Sequence, residues 1–348
     1  MIQNMMDKYD CDAMLFLDLK NVRYFSGFRG DTGLLIYTKK EMVLVVDPRF
    51  ELEAKNTVKK ARKVIYRGET SIWDVPWLYE ELKIKKMGFF PSSMTVDVYN
   101  KLKGTVQLVA MDMPSSVYRC VKTKKEIALI KKSVEIQEKA YKGVFPKLSE
   151  GISEAIYAAE LDHLMRLNGA DGLAFPSIVA FGDNSAVIHA IPTNRKIKGD
   201  GALMIDFGAT YEGYCSDQTV TLLFGKIDKK LLKIYDDVYT AQKRAIEAVR
   251  PGVSAKELYE KGFGYLIKKG YGKLIQHSLG HSLGLEIHEP PKIAPYTDFI
   301  FEEGMVFTIE PGLYLPSVGG VRLEDMILVT SKGFEVLTSL PKEKKFII

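Results

Sequence analysis

At 348 residues the chain exceeds the roughly 250 residues beyond which a single hydrophobic core stops growing, so two domains are expected. Apolar residues make up 46% and charged residues 27%, a balance that excludes a disordered or collagen-like chain. The formal charge of +5, from 49 basic and 44 acidic side chains, is spread without one dominant basic stripe, which reads as a solvated surface rather than a nucleic-acid footprint.

The first residues, Met-Ile-Gln-Asn-Met-Met-Asp7-Lys-Tyr-Asp10, carry acids where a secretion signal has its apolar stretch, and no later apolar run is long enough to span a bilayer. Neither export nor membrane contact is expected. Short apolar runs at residues 13–17, 33–37 and 42–46 alternate with helical patterns at residues 50–58 and 71–82, which predicts a small α/β domain without a catalytic cluster. Cys11, Cys120 and Cys215 are odd in number and far apart, so neither a disulfide framework nor a Cys-rich zinc site is indicated, and a reducing cytoplasm fits.

A Pro-Ser-Ser segment at residues 114–116 interrupts this pattern, and Thr123-Lys-Lys-Glu126 then has the form of a capping box at a helix start. The boundary is therefore set at residue 118, giving domains 1–118 and 119–348. The following helix, residues 124–144, turns Ile127, Ile130, Val134, Ile136 and Tyr141 toward one side, and a second helix follows at residues 153–167. Strands and tight turns are expected at residues 176–189 and 203–224, and helices return at residues 231–249 and 255–269, which makes the second domain α+β. Gly151, Ser153 and Gly169 recur as Gly252, Ser254 and Gly270 at one fixed offset, each set framing a helix, which points to a duplicated half.

The chemistry gathers in this second domain. Ala202-Leu-Met-Ile205 reads as a buried strand that runs into Asp206, and an unpaired carboxylate there would be costly, so something positive should meet it. Asp217 opens the strand 218–224 across a hairpin, and alternation puts Asp217, Thr219 and Thr221 on one face. Residues 305–309 lead in the same way into Glu310, and residues 320–323 into Glu324, again around a glycine-rich connection. Four carboxylates at the ends of apolar strands repel one another, and either protons or metal ions must relieve that; two divalent cations would cancel four charges. Of five histidines, three fall in His277-Ser-Leu-Gly-His281-Ser-Leu-Gly-Leu-Glu-Ile-His288, read as a glycine-bent loop feeding a short strand. The i, i+4 spacing of His277 and His281 is not read as a helical zinc site, because Gly280 and Gly284 weaken a helix and the Glu of His-Glu-x-x-His is missing. His163 reads as an ordinary helix residue, and His189, after the strand-like Ala186-Val-Ile188, as a candidate for the same cleft.

Asp206, Asp217, the Gly280-His281 step, Thr308-Ile-Glu310-Pro-Gly and Gly320-Val-Arg322-Leu-Glu324, in that order, resemble the pita-bread metallopeptidases, and within them Xaa-Pro dipeptidase (prolidase) and aminopeptidase P. The likeness spans the C-terminal domain from Arg119-Cys-Val-Lys-Thr-Lys-Lys-Glu-Ile127 onward, and more loosely the first domain through Tyr24-Phe-Ser-Gly27 and Asp47-Pro-Arg-Phe50. It implies a pita-bread catalytic domain of duplicated α+β halves with an antiparallel sheet, behind a smaller α/β domain. It also implies two divalent metal ions per subunit held by Asp206, Asp217, His281, Glu310 and Glu324, with one acid from each hairpin shared between the ions. A water activated there would attack an Xaa-Pro bond, with Glu310 as general base, His288 contacting the tetrahedral intermediate and His189 lining the substrate pocket. The oxygen-rich donor set favours Mn²⁺ over thiolate-loving metals, and Co²⁺, Zn²⁺ or Fe²⁺ can also occupy such a site. A homodimer follows from the resemblance alone.

Two further residues join the substrate-binding set: Arg322, two positions before Glu324 and able to brace a metal-bound carboxylate, and Lys292, an anchor for a substrate carboxylate. Val220, where the family has arginine, and Ser282, where it has glycine, are departures expected to affect substrate fit before metal binding. Prolidase is favoured because the chain is compact and without insertions; aminopeptidase P, acting on longer peptides, is the alternative. Methionine aminopeptidase lacks the extra N-terminal domain, and a metal-free peptide-binding module or creatinase-like enzyme would not need the complete carboxylate set.

Overall fold

Strands that read as unbroken apolar runs are strands buried on both faces. That is how the first unit, Met1–Tyr118, is built. The protein's structure is a computed structural model that describes residues 2–68, 72, 73, 75–113, 116–148, 151–342, 344, 346 and 347. In chain order this unit contains α1 (Ile2–Lys8), β1 (Ala13–Phe16), α2 (Leu19–Ser26), β2 (Gly33–Thr38), β3 (Met42–Val46), α3 (Glu51–Thr57), β4 (Arg62–Ile65), α4 (Pro76–Glu81), β5 (Lys86–Phe89), α5 (Val96–Leu102) and β6 (Gln107–Ala110). The strands form one six-stranded sheet in the order β4-β3-β2-β1-β5-β6, antiparallel within β1–β2–β3 and parallel elsewhere. Met14 and Phe16 of β1 enter one apolar layer with Val22 and Val46, and Ala13 and Leu15 enter the other with Leu78 and Val98. The helix expected at residues 71–82 forms only as α4, where Pro76 supplies a preset first turn. Ser71, Pro114 and Ser115 lie outside the described residues.

The second unit, Arg119–Ile348, opens with the capping box: Thr123 Oγ1 accepts from the Glu126 amide, and the Glu126 carboxylate accepts from the Thr123 amide at 2.9 Å. Its elements are α6 (Lys124–Val144), α7 (Glu154–Leu167), β7 (Gly172–Leu173), β8 (Ile178–Phe181), β9 (Gly201–Phe207), β10 (Ala209–Tyr211), β11 (Tyr214–Cys215), β12 (Gln218–Phe224), α8 (Lys229–Ile246), α9 (Ala255–Lys268), β13 (His281–Ser282), β14 (Glu289–Lys292), β15 (Val306–Ile309), β16 (Gly312–Leu315), β17 (Gly319–Arg322), β18 (Asp325–Thr330), β19 (Gly333–Val336) and β20 (Phe346–Ile347). Two sheets dominate, β20-β12-β9-β8 and β14-β13-β15-β18-β19, joined by the small sheet β11-β10-β7 and the hairpin β16-β17.

The repeat seen in glycine and serine is a repeat of structure. Ser153 and Ser254 each cap a helix, α7 and α9, and Gly151 and Gly252 turn with φ of +94° and +87°, where a side chain would be strained. The backbone bonds also match, Gly151 to Ile197 O beside Gly252 to Phe301 O, and the amide of Ile197 to Ile152 O beside that of Phe301 to Val253 O. Each helix pair backs one sheet: Ile136, Tyr157 and Leu161 pack on Leu203, Ile205, Phe207 and Val220, and Val238, Leu258 and Phe263 pack within the core that holds Phe307, Ile309, Ile327 and Val329. Strand alternation then turns Asp206, Asp217, Thr219, Thr308 and Glu310 away from the helices.

Two local expectations need correction. Of the strands and tight turns expected at residues 176–189, the strand is β8, which ends at Phe181; Ala186-Val-Ile188, read as strand-like, is not a strand, because Gly182 turns at a φ of +62° into a short 3₁₀ turn, Gly182–Ala186, and Ile188 and His189 lie in a turn. The helix expected to reach residue 249 stops at Ile246, and the chain turns ahead of Pro251. Among the described residues no helix is long and apolar enough to cross a membrane.

Candidate active site

The two acid-bearing hairpins converge. In the antiparallel pair β9–β12, Asp206 faces Thr219, so Asp217 is its diagonal neighbour on one sheet face. In β15–β18, Ile309 faces Asp325, which leaves Glu310 and Glu324 side by side just beyond the ladder. Thr219 stitches the hairpins together: its carbonyl accepts the Glu324 amide at 3.1 Å and its hydroxyl donates to Glu324 Oε2 at 2.7 Å. Thr221 Oγ1 adds a bond to the Arg322 carbonyl at 2.9 Å. His281 enters because residue 280 is glycine, since a Cβ there would lie 1.9 Å from the Thr308 carbonyl oxygen. The His281 amide donates to Thr308 Oγ1 at 3.1 Å, and its Nε2 stands 3.5 Å from both Asp217 Oδ2 and Glu310 Oε1. Donor atoms of Asp217, His281 and Glu324 all lie within 4.8 Å of one another.

These groups have a charge problem. Burial, then the neighbouring Glu324, Asp206 and Glu310, push the Asp217 carboxyl well above its ordinary range. Burial, with Glu310 and Asp206, does the same to Glu324, and burial with the Asp206 charge raises Glu310 to about 8 despite the opposing pull of Arg322. Burial and neighbouring cationic groups push His281 down to about 3, so the ring is neutral and its carboxylate contacts are not ion pairs. With Nδ1 at 3.1 Å from the Ser282 carbonyl, where it donates, Nε2 turns its lone pair into the cluster. Asp206 pairs with Arg322 through Oδ2, while its buried Oδ1 has no hydrogen-bond partner. Raised carboxyls, an orphaned carboxylate oxygen and a presented imidazole lone pair make a donor set that divalent cations fit.

The cluster forms the floor of a cavity of about 640 Å³. His189, Ala190 and Ile191 line it from the loop after β8; Ile287, His288 and Lys292 line it from the segment around β14; Phe175 and Tyr296 add apolar wall. The His288 ring lies 4.4 Å from that of His281, centroid to centroid. His189, His288 and Lys292 are exposed, as mouth residues must be, and so is His163, which stays outside the cavity. Arg322 lies at the cavity wall with its guanidinium engaged by protein: besides Asp206, it donates to Thr219 Oγ1 at 3.2 Å, Tyr314 Oη at 2.8 Å and the Ile188 carbonyl at 3.2 Å. That geometry braces carboxylate and loop rather than reaching for substrate.

Sequence reasoning missed His277 and Tyr314. His277 lines the cavity, with Nε2 at 2.9 Å from Tyr314 Oη and Nδ1 at 4.0 Å from Glu310 Oε2. Burial lowers it to about 4. Its i−4 spacing to His281 was the available signal, set aside with the helical zinc motif. Val220 and Ser282, expected to affect substrate fit, do not line the cavity: Val220 packs in the helix-side core by strand alternation, and Ser282 is fully buried.

Residues 128–331 match metallopeptidase family M24, and residues 1–121 match the creatinase/prolidase N-terminal domain. The chain belongs to metallopeptidase family M24. It is therefore a metal-dependent peptidase. It is 37% identical over 338 residues to an Xaa-Pro dipeptidase of Pyrococcus furiosus, covering 97% of this chain and 96% of that one. Among solved structures it is similar to an Xaa-Pro dipeptidase from Bacillus anthracis, with a TM-score of 0.95 at 34% identity over 99% of this chain and 98% of that one. It is also similar to an X-Pro aminopeptidase from Thermotoga maritima, with a TM-score of 0.89 at 31% identity over 99% of this chain and all of that one.

The raised carboxyls fix the sign of a pH effect in the metal-free protein. Glu310 holds its proton up to about pH 8 when folded but only to its ordinary 4.5 when unfolded, so the folded state binds more protons in between. Its contribution is fully present below pH 4.5 and is lost as the pH rises toward 8. In thermal melts of metal-free protein, the fall in Tm between those limits is expected to be shallower for Glu310→Gln than for wild type; equal slopes would refute this.

Proposed function

We propose that the chain is an Xaa-Pro dipeptidase that hydrolyses the bond before a C-terminal proline, using two divalent ions held by Asp206, Asp217, His281, Glu310 and Glu324. The observation that carries this reading is four carboxylates and one neutral imidazole converging on one floor with their charge unrelieved. Two dications match four acids, and an oxygen-rich set suits Mn²⁺, with Co²⁺, Zn²⁺ or Fe²⁺ also able to occupy it. When bound, the ions would supply Lewis-acid activation of a water and of the scissile carbonyl at neutral pH.

The chain's own groups do the rest. Glu310, half-buried with Thr308 Oγ1 at 3.4 Å from its Oε1, is the acceptor for a proton from the attacking water. His288 is lowered chiefly by burial and secondarily by Lys292, so its ring stays neutral near pH 7 and offers an N–H to charge developing on the carbonyl oxygen. His189 contacts the substrate from the opposite loop. Arg322 holds Asp206 and the loop carbonyl of Ile188 in register. Lys292, an exposed cation at the cavity edge, meets the free carboxylate that a dipeptide carries next to the scissile bond. This last contact favours a dipeptide over longer peptides. The likeness to the Thermotoga maritima aminopeptidase supports an Xaa-Pro aminopeptidase as the second reading. Cys11, Cys120 and Cys215 are buried thiols outside any disulfide, which suits work in a reducing cytoplasm, and a homodimer is the assembly proposed by resemblance, to be checked by light scattering.

Metal-stripped protein given back Mn²⁺, Co²⁺ or Zn²⁺ separately is expected to cleave Ala-Pro and to leave Ala-Pro-Ala intact, with Mn²⁺ most effective. Cleavage of the tripeptide would move the assignment to an aminopeptidase, and no cleavage with any metal would overturn it. Asp217→Asn and His281→Ala should each lower the metal content of the purified protein, and unchanged content in both would remove them as ligands. Lys292→Met should raise KM for Ala-Pro about tenfold or more with little change in kcat, the expected loss of one charge-assisted bond. An unaltered KM would remove the anchor.

A further inference from the structure

We propose that Glu154 is a positioning residue that holds the cavity wall carrying His189, although it lies outside the cavity itself. The proposal rests on reading His189 as a substrate contact.

Glu154 is the first residue of α7, and it is fully buried. A buried carboxylate is costly unless its lone pairs are met, and among the described residues no ion pair meets this one. Its partners are neutral donors instead. Oε1 accepts from the Phe181 amide at 2.8 Å and Asn184 Nδ2 at 3.1 Å; Oε2 accepts from Asn184 Nδ2 at 3.0 Å, the Thr193 amide at 3.0 Å and the Thr193 hydroxyl at 2.7 Å. All three partners belong to one segment, residues 181–193, and they sit at its two ends. Between them lie Ile188, His189, Ala190, Ile191 and Pro192, which line the cavity. Within the segment Ala190 is buried, with Ala186 and Ile188 partly so, but Val187 is 52% and Ile191 81% exposed, so the course of its exposed part depends on how the segment is held. The Arg322 bond to the Ile188 carbonyl grips the middle, and Glu154 grips both ends.

The duplicated half supplies the control. The residue after Ser254 is Ala255, at the position that Glu154 holds after Ser153. The Ala255 amide donates to Phe299 O as the Glu154 amide donates to Arg195 O, and the bonds of Gly252 and Phe301 match those of Gly151 and Ile197, while in the first half the Ala155 amide additionally donates to Thr193 O. The helix-to-strand junction therefore forms without a carboxylate. What differs between the halves is the wall that carries His189.

The test uses Glu154→Gln in the metal-loaded, full-length protein. The amide keeps the shape but turns one acceptor into a donor that faces donors. Hydrogen exchange at Phe181, Thr193 and residues 185–191 should accelerate while metal content stays at the wild-type value. The kcat/KM for Ala-Pro should fall about 10- to 100-fold, the order expected when a contacting group is displaced by about an ångström. In a His189→Ala background the same change should cost less than about threefold, since a wall without its histidine has little left to misplace. An equal factor in both backgrounds would mean a merely structural role and would overturn the proposal, as would unchanged exchange. Should Glu154→Gln fail to fold, Thr193→Val removes one of the same bonds and is read by the same two-background comparison. If wild type does not cleave Ala-Pro, the proposed function fails while hydrogen exchange still decides whether Glu154 holds the wall.

Discussion

The mutual repulsion of four clustered acids, three of them buried and Glu310 half-buried, is the constraint on which the rest of the catalytic domain depends. Asp206, Asp217, Glu310 and Glu324 come from two hairpins, and each is turned away from an apolar helix-backed core. Such a cluster opposes folding unless protons, an internal cation or bound ions relieve it. Arg322 pairs with Asp206 and pulls against the rise of Asp217, Glu310 and Glu324, yet these three are still pushed upward. Under the proposed function this remaining repulsion is put to use: the groups that repel each other are the groups proposed to hold the metal.

The fold meets this constraint by duplication. Each half brings a helix pair, a backed sheet and one hairpin with two acids, and the halves join through Thr219 and Thr221, whose hydroxyls and carbonyls satisfy Glu324 and Arg322. The division of labour between strands and loops is equally physical. Acids sit on or beside strands, where the ladder fixes them, while His189, His288 and Lys292 sit at the exposed edge of the cavity. Loops at a cavity mouth need anchors, and the buried bonds of Glu154 and Arg322 to residues 181–193 supply them.

Much of this was legible in the residues. The period-2 alternation around Asp206 and Asp217, the matching pair at Glu310 and Glu324 and the histidine-rich loop are local patterns, and each carries its own chemical improbability. The repeated Gly and Ser positions likewise mark backbone turns and caps that depend only on local geometry. His277, Tyr314 and Glu154 were not legible, because each acts through a partner far away in sequence. Ala186-Val-Ile188 was misread as strand-like for the same reason: its segment is held by long-range bonds of Glu154 to Asn184 and of Arg322 to Ile188, not by a ladder of its own.

The sequence by itself determined which faces are apolar, where the acids and histidines fall on them, and hence a metal-binding chemistry. Only the tertiary structure decided that Arg322 meets Asp206 rather than substrate, that Val220 packs away from the cavity, and that His277 enters it. Alternation and spacing fix a side chain's direction relative to its own strand, whereas its partner depends on how separate strands and loops are brought together in space.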